Sequence, residues 1–227
     1  MGVKHGKKYR QWAEKVPKGK VPLAEAVEVI RGFTGSKFDA TVELTMHLGI
    51  DPKQADQALR GAISLPHGVG KARKVIAFCE GDDVERAKAA GAIEAGSDEL
   101  IKKIQGGWTD FDVAISTPAQ MRSVSRLGRI LGPQGKMPSP KAGTVVDDVG
   151  KAVAEYAAGK VEFRNDDGGN LHVPVGKLSF DSQKLVDNVQ AMLDHVRRLK
   201  PPTTKGTYVR KVCLSATMSP AVQLDVA

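Results

Sequence analysis

Val42, Leu44, Met46 and Leu48 alternate with polar neighbours along residues 38–50, a period of two. That pattern predicts a long, half-buried strand. Lys37, Asp39, Thr41 and Glu43 share the face opposite the apolar residues. The period lengthens at residues 23–31, where Leu23, Ala26, Val27 and Ile30 fall on one side. It does so again at residues 181–199, where Leu185, Val189, Met192, Leu193 and Val196 align. Both predict amphipathic helices, and residues 7–15 also read as helix. Further strands are expected at residues 160–163, 171–175 and 207–216.

The middle of the chain has a different rhythm. Short apolar runs at residues 74–79 (KVIAFC) and 111–116 (FDVAIS) read as strands, with a shorter one at 92–95. Helices are expected at residues 82–90, stopped by Gly91, and from an N-cap at Ser97 to Gln105, ended by Gly106 and Gly107. Another opens at Thr117 and Pro118 and runs towards Leu131, and a last one covers residues 148–158 with Asp147 as its cap. Alternating strands and helices predict a parallel sheet flanked by helices. Glycine and proline punctuate residues 64–71 (SLPHGVGK) and Gly159. The expected fold class is an α+β split domain, residues 1–66 plus 159–227, carrying an inserted α/β domain at residues 67–158. The insert is Rossmann-like, three layers about a parallel sheet, and two adjacent connections make a two-stranded hinge geometrically possible. A single continuous α/β domain is the alternative.

Charge changes the picture. The 227 residues are 41% hydrophobic, enough for a core, and carry 34 basic against 26 acidic groups, net +8. Residues 67–158 hold 13 basic and 12 acidic groups, whereas the flanks hold 21 and 14. The excess positive charge therefore sits on the split domain, and a polyanion, nucleic acid or an acidic membrane surface, is the expected partner. No run of about 18 apolar residues predicts a membrane span. Residues 1–20 are basic and lack the apolar stretch of a signal peptide. Cys79 and Cys213 are isolated, fit neither a disulfide framework nor a zinc site, and read as buried thiols in a reducing cytosol.

Catalytic motifs fail one after another. Gly70-Lys71 and Gly135-Lys136 lack the preceding glycine and following hydroxyl of a phosphate loop, having Leu65 or Ile130 before and Ala72 or Met137 after. There is no G-x-G-x-x-G, G-x-S-x-G or H-E-x-x-H, and the histidines His5, His47, His67, His172 and His195 have no ligand spacing. Residues 126–143 stand apart, with four glycines, three prolines, four basic residues and no acid. Such a stretch is expected to be an irregular functional loop rather than a plain helix or strand. Aromatic residues make up only 5% of the chain, so the expected mode is shape, backbone and 2′-hydroxyl readout of a folded nucleic acid.

Three stretches could carry such binding. The polar face of the long strand is either a contact surface or a solvated one, and Phe38 at its start is a core residue or an RNA contact, core being the better structural reading. Residues 164–172 (RNDDGGNLH) predict a hairpin with a polar tip. Residues 197–211 hold six basic residues and no acid, with Pro-Pro and Gly marking a loop, and lead into the small hydroxyl residues near Thr217.

At these residues the chain resembles the bacterial large-subunit ribosomal protein L-one family, over essentially its whole length. The resemblance is carried by KFDATVEL (37–44), LGIDP (48–52), RGAISLPHGVGK (60–71), GGWTDFD (106–112), LGRILGPQGKMPSPKAGTV (127–145), EFRNDDGGNLHVPVGK (162–177) and TMSP (217–220). It implies that the split domain binds a folded junction in large-subunit ribosomal RNA at the mobile stalk beside the tRNA exit site. It also implies repression of translation through the chain's own operon messenger leader, and help in releasing deacylated exit-site tRNA. A non-enzyme follows, without cofactor or metal, cytoplasmic, and monomeric when off the ribosome. By position, Lys37, Phe38, Thr41, Glu43, Arg164, Asp166, His172, Thr217 and Met218 match RNA-facing motifs, and Ser219 stands where the family has glycine. The hinge would fall at Pro66, His67, Gly68, Gly70 and Gly159. Arg126, Arg129, Lys136 and Lys141 either touch tRNA or brace the insert. The rival readings are a cytosolic enzyme gripping a phosphorylated substrate with the basic glycine loop, and a transcription repressor preferring duplex DNA.

Overall fold

The computed structural model describes residues 5–33, 37–54, 56–71 and 73–225, so residues 1–4 of the basic amino-terminal segment lie outside it. In chain order the elements begin α1 (Lys7–Lys15), α2 (Leu23–Arg31), β1 (Thr41–Leu48), β2 (Arg60–Ile63), β3 (Val75–Phe78) and α3 (Asp82–Ala89). They continue β4 (Glu94–Gly96), α4 (Asp98–Gln105), β5 (Val113–Ser116), α5 (Met121–Val124), α6 (Gly128–Leu131) and α7 (Val149–Ala157). The last are β6 (Val161–Arg164), β7 (Asn170–Lys177), α8 (Ser182–Arg198), β8 (Val209–Ala216) and β9 (Val222–Gln223). Two compact units result: residues 1–70 with 163–227, and residues 71–162.

The first unit is built on an antiparallel sheet in the order β7-β1-β8-β9. One face is apolar because every second residue of β1 (Val42, Leu44, Met46, Leu48) is buried, and Leu171, Val173, Val212 and Leu214 join them from the neighbours. Helices α2 and α8 cover this face with the stripes seen in the sequence. Asn188 interrupts the α8 stripe. It is fully buried, and its side chain donates to the carbonyls of Val175 (2.8 Å) and Gly68 (2.9 Å) and accepts from the His67 amide (3.1 Å). A buried amide with its partners in place is tolerated and specifies position. Here it clamps the segment around His67 and Gly68, while His67 Nε2 lies 3.1 Å from Asp187. Two residues on, Gly70 has φ 75°, and a Cβ there would meet the Phe180 ring at 2.7 Å.

The second unit is three-layered. Parallel strands β4-β3-β5 form the middle. Val75, Ala77 and Ile115 pack against α3 and α7 on one side, and Ile76, Phe78 and Ala114 pack against α4 and the 121–131 segment on the other. The sequence expectation of one helix from Thr117 to Leu131 is corrected. The chain makes a turn at residues 117–120, then α5, a 3-10 turn (Ser125–Leu127) and α6. The Ser125 hydroxyl donates back to the Arg122 carbonyl (2.7 Å), and the tightened turn puts Val124, Leu127 and Leu131 all in the core. The 126–143 stretch is therefore helical at its start, not irregular throughout. Two caps also differ. The Ser97 hydroxyl donates to buried Gln120 (2.9 Å) rather than to its helix, and Asp148, not Asp147, caps α7 by accepting from the Lys151 amide.

Candidate nucleic-acid interface

The face of the first sheet turned away from α2 and α8 is polar. Thr41, Glu43 and Thr45 alternate outward along β1, with His172 on β7 and Ser215 on β8 beside them. Strand period and register alone bring these residues, distant in sequence, onto one surface.

At one end, Thr217 is tied to the start of β1. Its amide donates to the Thr41 carbonyl (2.9 Å), and its hydroxyl accepts from the Thr41 amide (3.2 Å) and donates to the same carbonyl (3.2 Å). Lys177 donates to the Thr41 hydroxyl (2.8 Å). The chain then turns from Ala216 to Ser219, closed by the Ser219 amide on the Ala216 carbonyl, while the Ser219 hydroxyl accepts from the Ala216 amide (both 2.9 Å). Met218 holds the exposed corner at φ 69°, the left-handed region, with its side chain 75% exposed. An L residue held there carries about 1–2 kcal/mol of strain, and so little burial offsets almost none of it. The left-handed position is Met218 and not Ser219, so the backbone of the turn does not demand glycine at residue 219.

At the other end, Glu43, His172 and Asp166 converge. His172 Nδ1 lies 3.3 Å from the Thr45 hydroxyl and 3.5 Å from Glu43, and Nε2 lies 3.8 Å from Asp166. Asp166 organises the tip that precedes β7. It accepts from the Gly168 amide (2.9 Å), the Asn170 amide (2.7 Å) and the Asn170 side chain (3.0 Å). Hydrogen bonds from the Asn170 side chain and backbone hold its carboxyl below the usual carboxylate range. The expected hairpin is corrected here. The tip itself is present, with Asn165 and Leu171 paired antiparallel and the Asp166 amide donating to the Asn170 carbonyl (2.8 Å), but the pairing stops there because β6 pairs with β2 while β7 pairs with β1. Arg164 is exposed on β6, and Lys37 is exposed before β1. Phe38 is half exposed, correcting its core reading.

The strip offers hydroxyls, an imidazole and two carboxylates. Carboxylates repel phosphates but accept from ribose hydroxyls and base amino groups. Lys177 stands within the strip on the Thr41 hydroxyl, and Lys37, Arg164, Arg210 and Lys211 are exposed cations of the same unit. The unit carrying the strip holds 20 basic and 13 acidic residues, against 14 and 13 in residues 71–162. Thr45 and Lys177 escaped the sequence reading, and Ser215 was legible only as one of the small hydroxyl residues near Thr217. The β1 alternation already put Thr45 beside Glu43, but the β8 register that adds Ser215 is not visible before folding.

In the second unit, Arg126, Arg129 and Lys141 are exposed. Lys136 is not: its ammonium donates to the Thr109 carbonyl (2.9 Å) and lies 5.1 Å from the centre of the Phe111 ring. It braces the loop, as does the Tyr156 hydroxyl on the Ala142 carbonyl (2.9 Å). Burial pushes the Tyr156 phenol up. Helix α3, which follows the first strand of the parallel sheet, opens with Asp82, Asp83 and Glu85. Those acids oppose a phosphate at the site where such folds bind one. Among the described residues no group of three or more His, Cys, Asp or Glu is arranged to hold a metal ion. No described helix is long and apolar enough to cross a membrane.

The model of the Ribosomal protein L1p/L10e family matches residues 30–220, from α2 through the Thr217 turn. The chain belongs to that family. It is 52% identical over 224 residues to the large ribosomal subunit protein uL1 of Mycobacteroides abscessus, covering 98% of this chain and 95% of that protein. The protein of the same name from Kosmotoga olearia is 52% identical over 223 residues, covering 98% and 96%. That of Salinispora tropica is 52% identical over 224 residues, covering 98% and 94%. The matched region includes both ends of the strip, from Lys37 to Ser219, and the whole of the second unit.

Proposed function

We propose that this chain is a non-enzymatic structural protein of the large ribosomal subunit, working in the cytoplasm, that binds large-subunit ribosomal RNA at the stalk through the polar strip of its first unit. The observation that carries this reading is the preformed line of Thr217, Thr41, Glu43 and His172 on an otherwise open sheet face. Family membership supports the RNA partner. Lys37, Phe38, Arg164, Asp166, Met218 and Ser219 complete the interface around that line. A strip already hydrogen-bonded to itself loses little entropy on binding and reads shape rather than a linear sequence.

The same surface serves a second RNA, a related fold in the leader of the chain's own operon messenger, and so represses its translation. Arg126, Arg129 and Lys141 on the second unit meet the exit-site tRNA and assist its release, with Lys136 holding their loop in shape. Off the ribosome the chain is a monomer. Domain motion between residues 1–66 plus 159–227 and residues 67–158 would accompany that release. Of the expected hinge residues Pro66, His67, Gly68, Gly70 and Gly159, His67 and Gly68 are held by Asn188 and Asp187, so bending concentrates from Gly70 onward and near Gly159, both at positive φ. Lys136, tied to the Thr109 carbonyl and set against the Phe111 ring, speaks against the rival enzyme that would grip phosphate with the basic glycine loop.

Amide hydrogen exchange on the whole protein, with and without a stalk RNA fragment, tests the assignment. Slowed exchange is expected at Thr41, Thr217 and the 166–172 tip. Protection confined to residues 126–141 would move the RNA site to the second unit and overturn it.

A further inference from the structure

The chain's scarce rings gather beside one end of the strip. A groove of about 510 Å³ is lined there by Tyr9 and Trp12 of α1 and by Phe33, Phe38, Thr217 and Met218. Its four rings are more than a third of the eleven in the chain. Trp12 stacks on Phe33 with centroids 5.8 Å apart, and Tyr9 stacks on His5 at 4.0 Å. The Trp12–Phe33 contact docks α1, which buries none of its residues fully. These ring contacts do not account for Met218, at 75% exposure on left-handed backbone. An apolar side chain held in water on strained backbone is positioned for something other than packing. Thr217 belongs to both the strip and the groove, so a molecule lying on the strip runs past the groove mouth, where Lys8 also sits. RNA is read at its unpaired positions by splaying bases out and stacking them on aromatic rings. The volume falls within the range of about 300–1,000 Å³ common for small-molecule sites.

We propose that this groove takes one unpaired nucleobase of the bound RNA, laid against the rings of Tyr9 and Phe38 and capped by the Met218 thioether. The proposal rests on the RNA-binding reading above. It adds a base-specific contact to a surface otherwise suited to ribose and shape. The amino-terminal helix α1, all of which lies before the family match begins at residue 30, becomes part of the site.

The test uses the whole protein and a set of stalk-junction RNA fragments, each with a single unpaired nucleotide made abasic. One position is expected to lose about tenfold or more in affinity, in line with stacking of a single base. In Tyr9→Ala the intact RNA should bind about tenfold more weakly, and the abasic change at that position should cost no more than about twofold further. Tyr9→Phe should behave as the parent. A 5-iodouracil at the responsive position should photocrosslink to Tyr9, Phe38 or Met218 in the parent protein, a readout independent of whether Tyr9→Ala folds. If the parent binds RNA well but no abasic position matters, or the loss is the same in Tyr9→Ala, or crosslinks fall only in residues 71–162, the base site is wrong while the RNA-binding reading stands. If the parent binds no stalk RNA at all, both fall.

Discussion

Replacing Met218 by glycine should move stability and RNA affinity in opposite directions. Met218 sits at φ 69° with its side chain 75% exposed. Glycine removes a left-handed strain of about 1–2 kcal/mol. It also adds unfolded-state entropy of about 0.4–1 kcal/mol, and the lost packing is small because so little of the side chain is buried. The balance is a gain of about 0.5 kcal/mol, or about 1–2 °C in Tm for a chain of this size. RNA binding should pay the opposite way. Burying a methionine fully is worth about 1.5–3 kcal/mol; the exposed share of Met218 makes about 1–2 kcal/mol available, a loss of five- to thirtyfold. Calorimetry and filter binding of a stalk RNA fragment read the two effects on one preparation. A fall in Tm of more than about 2 °C would mean that Met218 is held by packing rather than strained. An unchanged affinity would mean that its exposure serves no RNA contact.

Three other outcomes are expected. Thr217→Ala removes two hydrogen bonds to the Thr41 backbone; specific RNA binding should drop about tenfold while binding of bulk tRNA changes less than twofold, and equal losses on both would remove Thr217 from the specific site. Asn188→Ala strips the carbonyls of Val175 and Gly68 and the His67 amide of a buried partner; urea unfolding should register a loss of about 2–4 kcal/mol, and a loss below 1 kcal/mol would mean water replaces the clamp. Asp166 has its folded pKa depressed by Asn170, so its contribution is complete above the unfolded value near ~3.9 and is lost as pH falls through the lower folded value. NMR titration of the Asn170 amide should follow that transition and Asp166→Asn should abolish it; an identical profile in the variant would assign the transition to another group.

The apolar patterns carried most of the fold. The β1 alternation and the α2 and α8 stripes are visible because a residue's side of an element depends only on its spacing. What failed was decided by distant partners. Ser97 turned from capping its helix to Gln120, and the 117–131 segment broke so that three apolar residues could reach the sheet. Asn188 looked like a polar lapse in a helix stripe, and its three partners come from other parts of the chain. Strand β2, four residues long and too short to show a period, has no counterpart among the elements expected from the sequence. For the site, Thr41, Glu43 and His172 were legible as polar residues on strands, but their meeting needed the β1–β7 register. The ring groove was not legible, since Tyr9 and Trp12 are remote from Phe38 and Met218 and a 5% aromatic content argued against one. The positive φ of the turn at Met218 was likewise not legible, since it is set by the hydrogen bonds that close residues 216–219.

The most direct test of the strip as a specific RNA reader is a titration with a stalk RNA fragment under excess tRNA competitor, at low and moderate salt. Tight binding that survives the competitor and weakens only moderately with salt is expected, because hydroxyl and base contacts add to the phosphate attraction. Binding that vanishes with competitor and salt would mean that the net charge of +8 is all that holds the RNA, and the polar strip would be no more than a solvated sheet face.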